Sequence, residues 1–248
     1  MQIGFIGAGN MATALARGWG DPVLVYDAYR PRAEALVAEL GGEVVGSNAE
    51  LAERAEAVLL AHKPPGLQRV AAEVGGAARG VISILGGVPL AALRAAYGAT
   101  PVVRMIPSVP VEVRRGVTCH ARDPQDASEL EAQAIELFER VGLVVSVDES
   151  QMGIATGLMS CAPAYVALVA EAQVDAGVRA GLPADVAGEL VAASIGGTAA
   201  LLQARGMDTL AVRRSVTSPG GITARGLAAL ERGGVRAAFD DAMQAVLA

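Results

Sequence analysis

Short apolar runs alternate with Ala-, Glu- and Leu-rich stretches of helical spacing up to about residue 147. The runs are IGFIG, PVLVYD, EVVG, AVLLA, GVISIL, PVVRM, GVTCH and LVVSV. Alternation of strand and helix is typical of βαβ units, whose parallel strands are buried on both faces. The first part of the chain therefore predicts a parallel sheet covered by helices.

The pattern changes at Glu149, after which β-type runs no longer occur. Three or four helical segments are predicted there, separated at Gly181-Leu182-Pro183, Arg205-Gly206-Met207 and Ser218-Pro219-Gly220-Gly221. Glycine and proline at these points are helix stops. The chain is thus expected to form two domains, an α/β domain over residues 1-148 and an all-helical domain over residues 149-248.

Two helical stretches of the second domain carry no charge. Ser150 to Ala170 approaches the length of a membrane span, but Gly153, Gly157 and Pro163 dilute it, so we expect it to be buried in protein. Leu190 to Ala204 is expected to be covered on all sides. Because a small helical domain can hardly cover both stretches alone, we predict a homodimer formed through this domain.

Composition and charge narrow the class of partner. The 248 residues are 52% hydrophobic but only 3% aromatic, and the formal net charge is −6. Negative charge disfavours nucleic acid or a membrane as partner and favours a small metabolite.

With only two cysteines and two histidines, neither a disulfide framework nor a metal site is expected. Without a basic region and cleavage site, MQIGFIGAGN does not resemble a signal peptide, and a cytoplasmic location is expected.

The first predicted turn carries G-x-G-x-x-A between a strand and a helix, at Gly7, Gly9 and Ala12. In a Rossmann-type domain the first glycine permits the tight turn, the second lets a pyrophosphate approach, and the small third residue permits close packing. A dinucleotide is therefore predicted to bind here. The residues of this turn expected to contact it are Gly7, Ala8, Gly9, Asn10 and Met11.

Asp27 ends the second predicted strand, where a carboxylate can bind the ribose hydroxyls of the adenosine. Its charge would repel a ribose phosphate, so among NADPH and NADH it favours NADH. Arg30 and Arg32 act in the opposite direction, because either guanidinium could pair with that phosphate. Both arginines are also explained as solvated residues of a first helical turn.

The loop after the fourth strand reads AHKP. Lys63 and Pro64 lie at the carboxyl edge of the predicted sheet and are expected to contact the cofactor, with an ordinary polar loop as the alternative. His62 is a candidate catalytic residue, although a single histidine more often has a structural role or contacts solvent. Cys161 is a weaker candidate, because its surroundings predict a buried helix and a buried thiol is usually inert.

Near the C-terminus the chain reads VTSPGGITARGLAALERGG. A loop is predicted over SPGG, followed by a helix that stops at Gly233-Gly234. A helix N-terminus preceded by glycines exposes backbone N–H groups that suit a small anion such as a carboxylate. An ordinary turn explains the same residues.

Four segments together resemble the pyrroline-5-carboxylate reductase family. They are IGFIGAGNMATAL, HKP, PAYVALVAEAQVDAGVRAGLP and VTSPGGITARGLAALERGGVRAAF, and the similarity extends over essentially the whole chain. The resemblance implies a Rossmann domain followed by a helical dimerisation domain, and NAD(P)H-dependent reduction of a cyclic imino acid to L-proline. It also implies that dimers assemble further, as in decamers.

The resemblance assigns roles to the C-terminal motif. Backbone N–H groups around Ser218, Gly220 and Gly221 would hold the substrate carboxylate, and Thr223 would hydrogen-bond the ring nitrogen. Ser218 and Thr223 are the expected catalytic residues. A hydroxyl in a first helical turn can instead act as a cap, which leaves a purely structural role open for Thr223.

Two segments depart from the family pattern. Asn and Thr of the family's Met-Pro-Asn-Thr-Pro are replaced by Ser108 and Val109, and Ser-Gly-Ser-Gly-Pro-Ala-Tyr becomes Met159 to Tyr165 with both glycines lost, at Ser160 and Ala162. Added side-chain atoms narrow any close approach of ligand or helix. Two alternatives therefore stay open: a reductase of another cyclic imine, and a nucleotide-binding regulatory protein without turnover.

Overall fold

A computed structural model describes residues 1–123 and 128–247 of the chain. The chain forms two compact units, Met1–Pro163 and Ala164–Ala248. The first unit includes the whole sheet and a helix beyond it. The domain boundary between residues 148 and 149 stays a prediction.

The first unit is built on one eight-stranded sheet in the order β3-β2-β1-β4-β5-β6-β7-β8. Each predicted apolar run contributes one strand. The strands are β1 (Ile3–Ile6), β2 (Val23–Tyr26), β3 (Gly42–Val44), β4 (Ala57–Leu60), β5 (Val81–Ser83), β6 (Val102–Pro107), β7 (Gly116–Arg122) and β8 (Gly142–Asp148).

Helices cover both faces of this sheet. They are α1 (Asn10–Trp19), α2 (Arg30–Leu40), α3 (Asn48–Arg54), α4 (Leu67–Val74), α5 (Leu90–Tyr97), α6 (Glu129–Glu139) and α7 (Met152–Met159). Alternate residues of β4 enter opposite cores: Val58 and Leu60 belong to one buried cluster, and Leu59 to the other. This alternation is why the central strands are apolar throughout.

One strand pairing differs from the predicted parallel sheet. β7 runs antiparallel to β6, with Met105 opposite His120, whereas β8 is again parallel to β7. The connection between β6 and β7 contains only a short 3-10 helix, Val109–Val113. A parallel crossover needs a dozen residues or more, so this short connection returns the chain antiparallel.

The second unit contains helices only. It comprises most of α8 (Ala162–Arg179), followed by α9 (Ala184–Ala204), α10 (Thr209–Ser215), α11 (Ile222–Arg232) and α12 (Val235–Leu247). The three predicted separations are confirmed. The chain also breaks at Ser160-Cys161 and, as predicted, at Gly233-Gly234, so six α-helices follow Glu149 in the described residues instead of three or four. Pro163 favours the first of these breaks, since proline is tolerated in the first turn of a new helix.

The uncharged stretches Ser150 to Ala170 and Leu190 to Ala204 are not buried within one chain, as expected if a helical domain of this size cannot cover both alone. Of residues 164–247, only Ala187 and Val212 are buried. Glu149–Arg179 and Ala184–Ala204 are long and apolar enough to cross a membrane by length and composition alone. Helices covered by a second protein surface have the same composition. A single chain therefore leaves a large apolar helical surface uncovered.

Candidate functional site

The glycine-rich turn has the backbone geometry that its sequence predicts. Gly7 has φ +106°, and its N–H donates to the carbonyl oxygen of Tyr26 at 2.7 Å. A Cβ at Gly7 would lie 2.9 Å from the carbonyl of Ala61, whereas a Cβ at Gly9, which precedes α1, would meet nothing within 4 Å. Ala12 is buried. The turn is closed at Gly7 and open at Gly9, which leaves room for a phosphate at the N-terminus of α1.

Two clefts of about 710 and 340 Å³ adjoin this turn at the carboxyl ends of β1, β2 and β4. Gly9, Arg32, Ala61, His62 and Lys63 line both of them. We call the larger one the first cleft and the smaller one the second cleft. The residues predicted to bind the cofactor are brought together here: Ala8, Asn10, Met11 and Pro64 line the first cleft, Gly7 and Asp27 the second, and Gly9 and Lys63 both.

Asp27 is held by backbone donors. Its Oδ2 accepts a hydrogen bond from the N–H of Ala8 and its Oδ1 accepts one from the N–H of Tyr29, both at 2.7 Å. A carboxylate offers about four lone-pair positions, so each oxygen can still accept a ribose hydroxyl. Asp27 therefore joins the end of β2 to the glycine-rich turn and still faces the second cleft.

The two arginines after β2 are not equivalent. Arg30 donates to Glu34 at 2.8 Å, one helical turn ahead, and lines neither cleft. Arg32 lines both clefts, and its guanidinium lies 5.6 Å from the centre of the exposed Tyr29 ring. Of the two, Arg32 is the one placed to meet an anionic group.

His62 is half buried in the loop between β4 and α4. Its Nδ1 lies 2.9 Å from the carbonyl oxygen of Lys63, which can only accept, so Nδ1 carries the proton. Burial lowers the pKa of the imidazole, and the charge of Arg69 lowers it further, against the opposing effects of the Lys63 carbonyl and Glu73. His62 is thus a neutral ring that faces the cofactor clefts.

The two thiols occupy different environments. Cys119 is buried in β7, and burial raises the pKa of its thiol. Cys161 is partly exposed and lies in the break between α7 and α8, so the expectation of a buried helix around it was wrong. Neither Cys119 nor Cys161 forms a disulfide bond.

The SPGG segment forms a tight turn before α11. Gly220 has φ +68°, and the N–H of Gly221 donates to the carbonyl oxygen of Ser218 at 3.0 Å. Gly221 is the N-cap of α11 without a side-chain cap, and a Cβ there would overlap Ser218 Oγ. Because the Gly221 N–H is engaged, the first-turn N–H groups of α11 are the open donors, which differs from the expected set. Thr223 is exposed in that same turn.

The segments that depart from the family pattern have defined structural roles. Ser108 is buried, and its hydroxyl accepts a hydrogen bond from the N–H of Val117 at 2.9 Å, so its side chain fastens β6 to β7. Val109 is 47% exposed. Ser160 and Cys161 both donate from the backbone to the carbonyl of Thr156, which closes the end of α7.

Sequence reasoning missed polar residues of the second cleft, among them Asn48, and one partly buried ion pair. Asn48 is buried, lines the second cleft and donates from Nδ2 to Glu73 at 2.6 Å. Arg104 in β6 donates to Glu149 at 2.7 Å, and the same carboxylate oxygen accepts the N–H of Leu90. Neither residue belongs to a motif, so no signal in the sequence marked them. Within residues 1–123 and 128–247, no group of three or more His, Cys, Asp or Glu is arranged to hold a metal ion.

Two family models match this chain. Residues 149–248 match the model described as pyrroline-5-carboxylate reductase dimerisation. Residues 2–87 match the model described as NADP oxidoreductase coenzyme F420-dependent. The first match covers the helices whose apolar surface a single chain leaves uncovered.

Named relatives match almost end to end. The pyrroline-5-carboxylate reductase of Synechocystis sp. is 37% identical over 99% of this chain and 95% of its own length. That of Methanosarcina acetivorans is 35% identical over 98% of this chain and 94% of its own. The Plasmodium falciparum pyrroline carboxylate reductase structure with NADP bound has a TM-score of 0.87 at 26% identity, over 99% of this chain and 95% of that one. The chain therefore belongs to the pyrroline-5-carboxylate reductase family.

Proposed function

We propose that this chain reduces the C=N bond of 1-pyrroline-5-carboxylate to give L-proline, with NADH or NADPH as the reductant. The observation that carries the proposal is the cofactor turn, closed at Gly7 and open at Gly9, in a chain with near full-length relatives of that name. The open space beside Gly9 and the backbone N–H donors at the start of α1 fit a pyrophosphate. The dihydronicotinamide supplies the hydride when bound.

The residues around the first cleft would hold the cofactor. Asn10 and Met11 begin α1, which follows β1, and Lys63 and Pro64 lie in the loop that follows β4. The first cleft is therefore lined from two neighbouring strand ends. We propose that these residues, with Ala8, position the cofactor. Fixing two reactants in one geometry supplies much of the acceleration in a reaction of this kind, because an iminium carbon is already electrophilic.

We propose that the first turn of α11 binds the substrate carboxylate. The turn over Ser218 and Gly220 directly precedes this helix start, and the absence of a Cβ at Gly221 leaves space for the Ser218 hydroxyl. The helix dipole favours an anion there. Thr223 would donate to or accept from the ring nitrogen. Since a hydroxyl is a weak acid, water or the protonated substrate is the ultimate proton source.

For the cofactor we propose a preference for NADH over NADPH, based on Asp27. Its carboxylate lines the second cleft and retains lone pairs for ribose hydroxyls. A ribose phosphate would meet this negative charge. Arg32 opposes the preference, so NADPH should be used less well and not excluded.

For the assembly and location we propose a cytoplasmic homodimer formed through the helical unit. The exposed apolar helices α8 and α9 and the match to a dimerisation model support it. Further association, such as a decamer of five dimers, is part of the same proposal. Two free thiols support a reducing compartment.

The test is a cofactor oxidation assay with and without 1-pyrroline-5-carboxylate, in which proline formation is followed in the same tube. Proline formed in step with NADH or NADPH oxidation supports the proposal. Binding of both cofactors without imine-dependent oxidation would instead support a regulatory protein. Faster turnover of a ring variant would identify a reductase of another cyclic imine, for which the changed residues Ser160 and Ala162 are the reason to test.

A further inference from the structure

Two residues that line the second cleft, His62 and Asn48, each carry a buried hydrogen-bond acceptor without a donor among the described residues. His62 Nδ1 donates to the Lys63 carbonyl, so Nε2 of the neutral ring carries a lone pair. Among the described residues, neither His62 Nε2 nor Asn48 Oδ1 has a hydrogen-bond partner, and both atoms are buried. Buried acceptors are normally satisfied, so each unpartnered one requires an explanation.

Both residues line the same cleft as Asp27. His62 lies on the loop after β4 and Asn48 at the start of α3. The imidazole packs over Gly66, where an added Cβ would be 3.2 Å from Nδ1. In a Rossmann-type sheet the acidic residue at the end of β2 marks the adenosine ribose. The second cleft is therefore the adenosine end of the proposed cofactor site.

The donors of adenosine can be matched to these acceptors. The ribose hydroxyls belong to Asp27, which is the anionic acceptor at the end of β2. The remaining donor of adenosine is the exocyclic amino group of adenine, with two N–H bonds. Its counterpart must be a neutral acceptor close to the base.

We propose that His62 recognises the adenine ring of the cofactor by accepting a hydrogen bond at Nε2 from the 6-amino group. The inference rests on the proposed function, because it assumes that the cofactor is an adenine dinucleotide. A dinucleotide with hypoxanthine carries a carbonyl oxygen at position 6, so two acceptors would face each other. Leaving a buried acceptor unpaired is the costly case, and it makes His62 a specificity-determining residue.

The test compares the dissociation constants of NADH and reduced nicotinamide hypoxanthine dinucleotide, measured by fluorescence titration without imine. The wild-type protein is expected to bind NADH about tenfold more tightly. His62→Phe keeps a ring but removes the acceptor, so the preference should fall to about one. His62→Gln keeps an acceptor and should retain part of the preference. Pro65→Ala, an exposed residue of the same loop that lines neither cleft, is the matched control and should behave as wild type.

Equal binding of the two dinucleotides by the wild-type protein would overturn the assignment, and that comparison needs no variant. An unchanged preference in folded His62→Phe, verified by its melting curve, would also overturn it. Failure of the proposed function has a different signature, since neither dinucleotide would then support proline formation. Proline formation without any adenine preference would reject only the role of His62.

Discussion

The carboxylate of Asp27 accepts a hydrogen bond from the backbone N–H of Ala8 at 2.7 Å. The end of β2 is thereby tied to the turn that approaches the pyrophosphate. Asp27 thus has two functions in the proposed site, since it shapes the turn and sets the charge beside the adenosine ribose. Removing the whole side chain would alter both functions, whereas an amide removes the charge and keeps one of the two acceptor oxygens.

Asp27→Asn should raise the kcat/KM for NADPH relative to NADH by about tenfold. The amide keeps one oxygen, which can accept from the N–H of Ala8 or of Tyr29 but not from both, and it no longer repels a ribose phosphate, an effect of about 1 to 2 kcal/mol. Steady-state kinetics with both cofactors measure the ratio. Asp21→Asn, an exposed aspartate paired with Arg140, is the control and should leave the ratio unchanged. If Asp27→Asn also leaves it unchanged, Asp27 does not determine cofactor choice.

Alanine substitutions of the two glycines of the turn should have different effects, one on stability and the other on cofactor binding. Gly7→Ala forces a side chain into the φ +106° region and against the Ala61 carbonyl, so it should cost about 2 to 4 kcal/mol of unfolding free energy. Gly9→Ala places its methyl group in open space, so stability should change little while the dissociation constant of NADH rises about tenfold or more. Urea unfolding and fluorescence titration give the two quantities. Gly76→Ala, which also meets nothing within 4 Å, is the control. Equal effects of both substitutions on stability would contradict this division.

Thr223→Ala should lower kcat by about tenfold to a hundredfold with little change in melting temperature. The hydroxyl is exposed in the first turn of α11, so its loss removes an interaction with the reacting nitrogen and little packing. Thr223→Ser keeps the hydroxyl and should retain most of the turnover. A large drop in melting temperature with unaltered turnover per folded molecule would mean that Thr223 only supports the helix start.

The sequence predicted the parts of this structure that depend on local sterics. Gly7 and Ala12 were recognisable because the fold tolerates only a small residue at these positions, and Gly9 because the proposed pyrophosphate needs the space there. The helix breaks followed glycine and proline. The antiparallel direction of β7 could not be predicted, since an apolar run does not indicate whether its strand pairs parallel or antiparallel. Asp27 keeps lone pairs that can still accept hydrogen bonds, and His62 Nε2 has no hydrogen-bond partner among the described residues. Both features depend on which loops the strand order brings together, and no local sequence pattern encodes that order.

Leu190→Glu should dissociate the predicted dimer. Leu190 is 55% exposed on α9, within a helical surface that a single chain leaves uncovered. A charge in an apolar interface is costly, so light scattering after gel filtration should show a smaller species. NADH binding should persist, because every residue that lines the two clefts lies in the first unit. Glu189→Gln, an exposed neighbour on the same helix, is the control. An unchanged mass for Leu190→Glu would place the interface elsewhere.

Acidification should destabilise the folded chain in part through His62. Because burial lowers the pKa of the folded imidazole below its ordinary value of about 6.5, the unfolded chain binds a proton that the folded chain rejects. The stability contribution is complete above about pH 6.5 and is lost as the pH falls from there through the folded pKa, with a slope of at most about 1.4 kcal/mol per pH unit. His62→Phe lacks this proton, so its unfolding free energy should fall less steeply between about pH 7 and about pH 5. Other titrating groups, including the buried His120, are present in both proteins and cancel in the difference. Parallel curves for the two proteins would show that the folded and unfolded chains bind the His62 proton equally, so that burial does not lower the pKa of this imidazole.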